Sequence, residues 1–257
     1  MAMTAADILW RNWRQRTRID ELPLDCRPLD RAAGYATQQE MVARSGQRVA
    51  GWKIAATSAA GQKHIGVDGP LAGALLASIV LENGATVPLE NNVMKVAEAE
   101  FVFEFRTGLP KRANSYTQAE VLAAVESLRP AIEVPDSRYN DFARVGAPQL
   151  IADTACSCWF VLGPATSADW RARDLAAHAV TVFRNGEKAA VGSGVNVLSD
   201  PRIALTWLVN ELRTFGDGID AGQFVTTGTC VIPVPIGPGD SIRADFGEFG
   251  SVDAEIS

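Results

Sequence analysis

The sequence lacks the marks of a nucleic-acid-binding or membrane protein. It has 24 Lys and Arg residues against 30 Asp and Glu residues, a net charge of -6, whereas a surface that follows phosphates needs a positive excess. No apolar run reaches the roughly 18 to 20 residues that cross a bilayer. Residues 1–19 carry four arginines but no apolar core of a signal peptide. We therefore expect a cytoplasmic protein without nucleic-acid or membrane partners.

Cysteine is also scarce. In a chain of 257 residues without an export signal, four cysteines make a disulfide framework improbable, and a Cys-x-Cys pair with no second Cys/His pair is a weak zinc motif. The sequence therefore predicts reduced, mostly buried thiols. They are Cys26, Cys156, Cys158 and Cys230.

Two further absences exclude enzyme classes. His64 and His178 are the only histidines, and no Gly-x-Ser-x-Gly motif accompanies them, so serine hydrolase chemistry lacks its parts. Gly192-Ser-Gly194 does not continue into a complete dinucleotide-binding motif. There is no tandem repeat or low-complexity tract, which sets repeat architectures aside.

What is present predicts an α+β protein. Thr4 with Asp7 forms a capping box for a helix to about residue 17, and Asp30 caps a second helix that ends near Gly46. Residues 1–48 are thus a predicted N-terminal helical cap, and residues 49–257 a β-rich catalytic domain. Helices are also predicted over 117–128 and 201–215, and strands over 49–57, 96–105, 131–134, 179–183, 188–191, 224–233 and 241–256.

Acidic residues on two of these strands are the best candidates for chemistry. Glu98 and Glu100 alternate with apolar residues, so they share one strand face, and Glu133 lies in an otherwise apolar strand where an unpaired carboxylate is costly. Three such oxygens suit a hard cation such as Mg²⁺, with Mn²⁺ as a second possibility, and leave coordination sites for water and a substrate. The alternative is that Glu98, Glu100 and Glu104 form the solvated face of a half-exposed strand.

Lys53 and the threonines after residue 225 are weaker candidates. Lys53 lies in a strand of small and apolar residues, where it could anchor a substrate carboxylate or transfer a proton, but an isolated lysine is usually on the surface. Thr226-Thr-Gly-Thr229 could donate hydroxyl and amide hydrogens to an anion, or it could be an ordinary strand end.

Together these pieces resemble the 2-keto-4-pentenoate hydratases, a family within the fumarylacetoacetate hydrolase superfamily that is related to the 4-oxalocrotonate decarboxylases. The resemblance covers about residues 3–256. It rests on Gly51-Trp-Lys-Ile-Ala-Ala-Thr57, Glu98-Ala-Glu100, Pro130-Ala-Ile-Glu133, Asp136-Ser-Arg138, Ile151-Ala-Asp153, Gly192-Ser-Gly194, Ala244-Asp-Phe-Gly247 and Gly250-Ser-Val252.

The resemblance implies a mixed, curled β-roll core and a homo-oligomer, a pentamer or decamer. It implies that Glu98, Glu100 and Glu133 bind the metal and that Lys53 is the active-site lysine. The implied reaction is ketonisation of a 2-hydroxy-2,4-dienoate followed by addition of water, which gives a 4-hydroxy-2-oxo acid in aromatic meta-cleavage catabolism.

Two positions depart from the family. Ser78 stands near a position where the hydratases usually carry an aspartate, and Asp153-Thr-Ala-Cys156 replaces Asp-Asn-Ala-Ser. The predicted catalytic residues are Lys53 together with Asp153 and Cys156 of this segment. The predicted substrate-binding residues are Ser78, Arg138, Thr227 and Thr229.

The departures leave other functions open. One is decarboxylation of a 4-oxalocrotonate-like 2-oxo diacid, for which Arg138, Arg144 or Arg202 could bind the second carboxylate. Another is a non-catalytic binding module on the same fold. Carbon–carbon hydrolysis ranks third, because the related hydrolases use a His/Glu pair on an N-terminal lid and the N-terminal segment here contains no histidine.

Overall fold

Local capping signals start the two N-terminal helices. In the computed structural model, which describes residues 3–257, the capping box is formed: the Asp7 amide donates to Thr4 Oγ1 (3.2 Å) and the Thr4 amide to Asp7 Oδ2 (3.0 Å). Asp30 accepts a hydrogen bond from the Ala33 amide at 2.8 Å and caps the second helix. Both helix starts are as predicted.

The helices in chain order are α1 (Ala5–Gln15), α2 (Arg31–Ser45), α3 (Ala59–His64), α4 (Gln118–Ala124), α5 (Ala147–Ala152) and α6 (Pro201–Phe215). The strands are β1 (Val49–Ala55), β2 (Leu71–Leu76), β3 (Val80–Glu82), β4 (Thr86–Val87), β5 (Val96–Phe105), β6 (Leu109–Pro110), β7 (Val125–Val134), β8 (Trp159–Leu162), β9 (Ala179–Arg184), β10 (Glu187–Ser193), β11 (Gly218–Ile219), β12 (Phe224–Thr229), β13 (Val234–Pro235), β14 (Ser241–Asp245) and β15 (Ser251–Ile256).

A mixed, curled sheet forms the centre of the protein, as predicted. Its strand order is β2-β1-β12-β5-β7-β8-β3; β1 pairs with β12 and β3 with β8 in parallel, and the other neighbours are antiparallel. A second sheet, β10-β9-β14-β15-β4, contains a β-hairpin that turns at Asn185-Gly186. Phe101 of β5 packs against Phe246 and Phe249 at the second sheet, so the core lies between the sheets.

The predicted helix over 117–128 is too long. A capping box between Thr117 and Glu120 starts α4, but the helix ends at Ala124 and the chain enters β7, ten residues long rather than the predicted four. The reason is tertiary: residues from Val125 onward pair with β5 one by one, and that pairing outweighs local helix propensity.

The N-terminal helices are attached to the rest of the chain by apolar packing. Leu9, Leu22 and Met41 form one buried cluster with Tyr139 and with Ala152 of α5. The division into a cap and a catalytic domain at residue 48 stays a prediction. All four cysteines are free thiols, as expected. Within residues 3–257, every helix is too short or too polar to span a membrane.

Candidate active site

The three predicted acidic residues converge on the inner face of the curled sheet. Antiparallel pairing of β5 and β7 places Glu98 directly opposite Glu133, and alternation along β5 places Glu100 on the same face. One carboxylate oxygen from each residue lies within 4.8 Å of the others. Glu133 is 0% exposed. Glu100 is 1% exposed, so the alternative of a solvated strand face is wrong for Glu100.

Lys53 completes this group and is not a surface lysine. Its side chain is 3% exposed, and its Nζ lies 2.9 Å from Glu133 Oε1 and donates to the Ala155 carbonyl at 3.0 Å. Despite this ion pair, neither Glu133 oxygen has a well-oriented hydrogen-bond donor among residues 3–257. When all three carboxylates are deprotonated, they and the one ammonium leave a net charge of two negative units in a buried pocket. The charge and the all-oxygen donor set therefore fit a divalent cation.

Burial and mutual repulsion make the site hold protons tightly. Burial, and then the neighbouring Glu133 carboxylate, raise the pKa of Glu98 to about 7. The same two causes raise the pKa of Glu100 well above its usual value. Burial alone would lower the pKa of Lys53, but the carboxylates of Glu133 and Glu98 outweigh it and raise this pKa.

Affinity for a divalent cation is therefore expected to depend on pH. Below about pH 7 metal-free Glu98 holds a proton that binding must release, and any proton on Glu100, whose pKa is also raised, must leave as well. The association constant should therefore fall as the pH falls, by about tenfold per pH unit for each proton released. Calorimetric Mg²⁺ titrations in two buffers of different ionisation enthalpy would measure both the affinity and the protons released. Equal Mg²⁺ affinity at about pH 6 and pH 8 would contradict the predicted release of protons on metal binding.

Strand β12 orients Glu100. Thr226 donates its hydroxyl to Glu100 Oε2, and the Gly228 amide donates to the same oxygen at 2.9 Å. The predicted substrate-binding hydroxyls bond elsewhere: that of Thr227 donates to the Phe101 carbonyl and that of Thr229 to the Val231 carbonyl. The sequence analysis named Thr226 only within the segment that could donate to an anion, and not as a site residue; in the structure the anion is the Glu100 carboxylate.

Asp153 and Arg138 form a buried ion pair. The carboxylate of Asp153 accepts hydrogen bonds from Ser137 Oγ (2.9 Å), from the Arg138 amide (3.0 Å) and from Arg138 Nε. The other two guanidinium nitrogens donate to the carbonyls of Ser157 and Asp153. The pair thus joins the segment after β7 to the turn at residues 154–156, and their catalytic and substrate-binding roles stay predictions.

Cys156 and Ser78 differ in their surroundings. Cys156 is 6% exposed, and burial, followed by the charge of Asp153, raises the pKa of its thiol to about 12. Ser78 is exposed and lines a cavity of about 500 Å³ together with Trp13, Arg138 and Trp159. Neither Lys53 nor the three glutamates line that cavity, so the structure does not bring Ser78 into the acidic cluster.

No protein-family model matches the sequence. Individual relatives do match over most of its length. The chain is 34% identical to a 2-keto-4-pentenoate hydratase of Burkholderia vietnamiensis, covering 89% of this chain and 87% of the relative. It is 36% identical to a 2-hydroxyhexa-2,4-dienoate hydratase of Comamonas testosteroni (76% and 74% covered). It is 33% identical to a 4-oxalocrotonate decarboxylase of Pseudomonas sp. strain CF600 (88% and 85% covered).

Solved structures of related enzymes have the same fold as this chain. A 4-oxalocrotonate decarboxylase from Pseudomonas putida G7, in complex with magnesium and adipate, superposes with a TM-score of 0.88 at 29% identity over 98% of this chain and 96% of that one. A fumarylacetoacetate hydrolase from Exiguobacterium antarcticum shares the fold, with a TM-score of 0.61 at 17% identity over 82% and 76%. The chain belongs to the family of 2-keto-4-pentenoate hydratases and 4-oxalocrotonate decarboxylases.

Proposed function

We propose that the chain is a hydratase dependent on a divalent metal, which adds water to a 2-hydroxy-2,4-dienoate in its 2-oxo-4-enoate form and yields a 4-hydroxy-2-oxo acid. The observation that carries this proposal is the buried convergence of Glu98, Glu100 and Glu133 beside Lys53, in a chain of this family. Carboxylate oxygens favour Mg²⁺, and Mn²⁺ accepts the same ligands.

The glutamates would hold the metal, and the other side chains would position it and the substrate. When bound, the cation supplies Lewis acidity that stabilises negative charge on the substrate's 2-oxygen. Thr226 and Gly228 keep Glu100 pointed at the site. Lys53 offers an N–H to an anionic oxygen of the substrate. Cys156 keeps its proton at neutral pH, so it acts as a donor and not as a base.

An apolar floor lies next to the acidic group on the same face of the sheet. Phe160 pairs with Glu133 across β7 and β8, and its ring stacks on Phe224 at 5.4 Å between ring centroids. Leu75 and Val102 complete this buried cluster. A charged group with this apolar floor beside it fits a short conjugated acid with an uncharged tail.

The arginines favour hydration over decarboxylation of a diacid. Of the three considered for a second carboxylate, Arg138 is committed to Asp153, Arg144 has an 85% exposed side chain, and Arg202 is bonded to Asp200 and to the Trp170 carbonyl. None of the three therefore presents a free guanidinium that could bind a second substrate carboxylate beside the glutamates. The decarboxylase of similar structure is complexed with adipate, a diacid, so decarboxylation stays the competing outcome.

Product analysis tests the proposal. Purified protein with Mg²⁺ is incubated separately with 2-hydroxypenta-2,4-dienoate and with 4-oxalocrotonate, and the products are identified by mass. We expect the dienoate to gain the mass of one water, in the Mg²⁺-loaded protein only, while 4-oxalocrotonate is left intact. Loss of carbon dioxide from 4-oxalocrotonate would assign the decarboxylase, and no Mg²⁺-dependent change with either acid would leave a binding module.

The family resemblance also underlies two predictions about the whole protein. We infer a homo-oligomer, a pentamer or decamer, whose mass light scattering would measure. We also infer a cytoplasmic protein that acts on a small 2-oxo acid, without nucleic-acid or membrane partners.

A further inference from the structure

The ammonium group of Lys53 is held by a backbone carbonyl that the proposed reaction does not require. Its Nζ donates to the Ala155 oxygen at 3.0 Å and lies 2.9 Å from Glu133 Oε1. A lysine ammonium has three N–H donors. The hydrogen bond to Ala155 fixes rotation about the last bond of the side chain, and the ion pair with Glu133 holds the ammonium in place, so the third N–H also has a fixed direction.

The carbonyl belongs to a turn of unusual backbone conformation. Thr154, Ala155 and Cys156 have φ values of 53°, 50° and 65°, three successive non-glycine residues in the left-handed region. Each carries a conformational cost, since the Cβ atom crowds the backbone there. Such a turn persists only where its surroundings hold it, and costs of this kind concentrate at functional sites.

Gly73 provides the space in which the turn lies. It is opposite Lys53 in the pairing of β1 with β2. A Cβ atom on Gly73 would lie 1.9 Å from the Thr154 carbonyl oxygen and 2.5 Å from the Thr154 carbonyl carbon. Those atoms are backbone, so the turn itself would have to move to admit any side chain.

Gln38 connects strand β2, which contains Gly73, to helix α5, which precedes the turn. Its buried amide donates to the Ala72 carbonyl (3.1 Å) and to the Ile151 carbonyl (2.6 Å), and it accepts from the Ala74 amide (3.0 Å). Ala72 and Ala74 flank Gly73, and Ile151 lies in α5, just before the turn. One side chain of the N-terminal helices thus locks the strand to the turn.

We propose that the turn Thr154–Cys156 is a carbonyl clamp that aims the third N–H of Lys53 at the substrate, and that Gly73 is the positioning residue that allows the clamp to close. The inference rests on the proposed function for the role of Lys53. It predicts that displacing the turn harms turnover while the metal ligands, which lie on β5 and β7, keep their geometry.

The test compares three variants in the Mg²⁺-loaded protein. Gly73→Ala pushes on the turn, and Ala155→Gly removes the conformational cost at φ 50° but loosens the turn. Gly194→Ala is the matched control, because its Cβ would lie 2.0 Å from the Leu175 carbonyl oxygen, a similar collision with backbone outside the clamp. The measurements are kcat and KM for the dienoate, Mg²⁺ affinity by calorimetry, and peptide-resolved labelling of Cys156 with N-ethylmaleimide.

We expect Gly73→Ala to lower kcat by about tenfold or more. Mg²⁺ affinity should stay within about threefold of the parent, since no metal ligand moves. Labelling of buried Cys156 should become faster. Ala155→Gly should lower kcat without lowering the melting temperature, which keeps the test valid if Gly73→Ala does not fold.

Two results would overturn the clamp: parental kcat in both clamp variants, or a loss of kcat in Gly73→Ala no larger than in Gly194→Ala. A failure of the proposed function looks different, because the parent itself would then not turn over the dienoate. In that case Cys156 labelling decides alone whether Gly73 seats the turn, with unchanged labelling counting against it.

Discussion

Glu133→Gln is expected to abolish both Mg²⁺ binding and turnover while the protein stays folded. The substitution keeps the shape of a fully buried side chain but removes the charge that faces both Glu98 and Lys53. The proposed metal ligand becomes a neutral amide, and Lys53 loses its counter-charge. Because metal-ion stabilisation of transition-state charge is worth several kcal/mol, kcat should fall by about a thousandfold or more.

Glu104→Gln is the matched control for this prediction. Glu104 lies on the same face of β5 as Glu98 and Glu100, but its carboxylate binds Ser127 and Arg129 and is 28% exposed. We expect this variant to keep the parental Mg²⁺ affinity and kcat, measured by calorimetry and by steady-state rates. If Glu133→Gln bound Mg²⁺ as tightly as Glu104→Gln does, the assignment of Glu133 as a metal ligand would be wrong.

Local signals explain which elements the sequence predicts well. The starts of α1, α2 and α6 follow from the caps Thr4, Asp30 and Asp200, which act within one helical turn. The boundary between α4 and β7 was missed because β7 is fixed by its pairing with β5, some twenty residues earlier. Local composition contains no record of such a partner.

The candidate site also contains residues that local sequence signals predict and residues that depend on long-range contacts. Glu133 stood out because a carboxylate among apolar neighbours needs compensation. The structure supplies Lys53 as its counter-charge, and Glu98 and Glu100 as the further carboxylates of the cluster. The burial of Lys53 was not predictable from alternation alone. Alternation separates the two faces of a strand, but only the curling of the sheet makes the polar face an interior.

The contacts that position the site were the least predictable. Gln38 reaches Ala72 and Ile151 across more than thirty and one hundred residues of chain, and nothing in α2 distinguishes it from the exposed Gln39. Gly73 could be recognised only once Thr154 was placed against it. Residues that act through their fit to distant backbone leave no periodic or compositional trace.

Arg138→Met is expected to destabilise the protein strongly. The guanidinium is 8% exposed beside a fully buried Asp153 carboxylate, so its removal leaves an uncompensated charge in the interior. Breaking a buried pair in this way costs about 3 to 5 kcal/mol. For a domain of this size each kcal/mol lowers the melting temperature by about 2 to 4 °C, so the loss should be roughly 6 to 20 °C in a thermal melt.

Arg129→Met provides the comparison, because Arg129 pairs with Glu104 on the same sheet while both side chains are about a quarter exposed. An exposed pair is worth at most about 1 kcal/mol, so this variant should melt within about 4 °C of the parent. The contrast separates two roles for Arg138. A small change in melting temperature together with a large rise in KM would make Arg138 a substrate ligand, as the sequence predicted. A large change in melting temperature with KM retained below the transition makes it a structural partner of Asp153, whose ion pair fixes the turn next to Lys53.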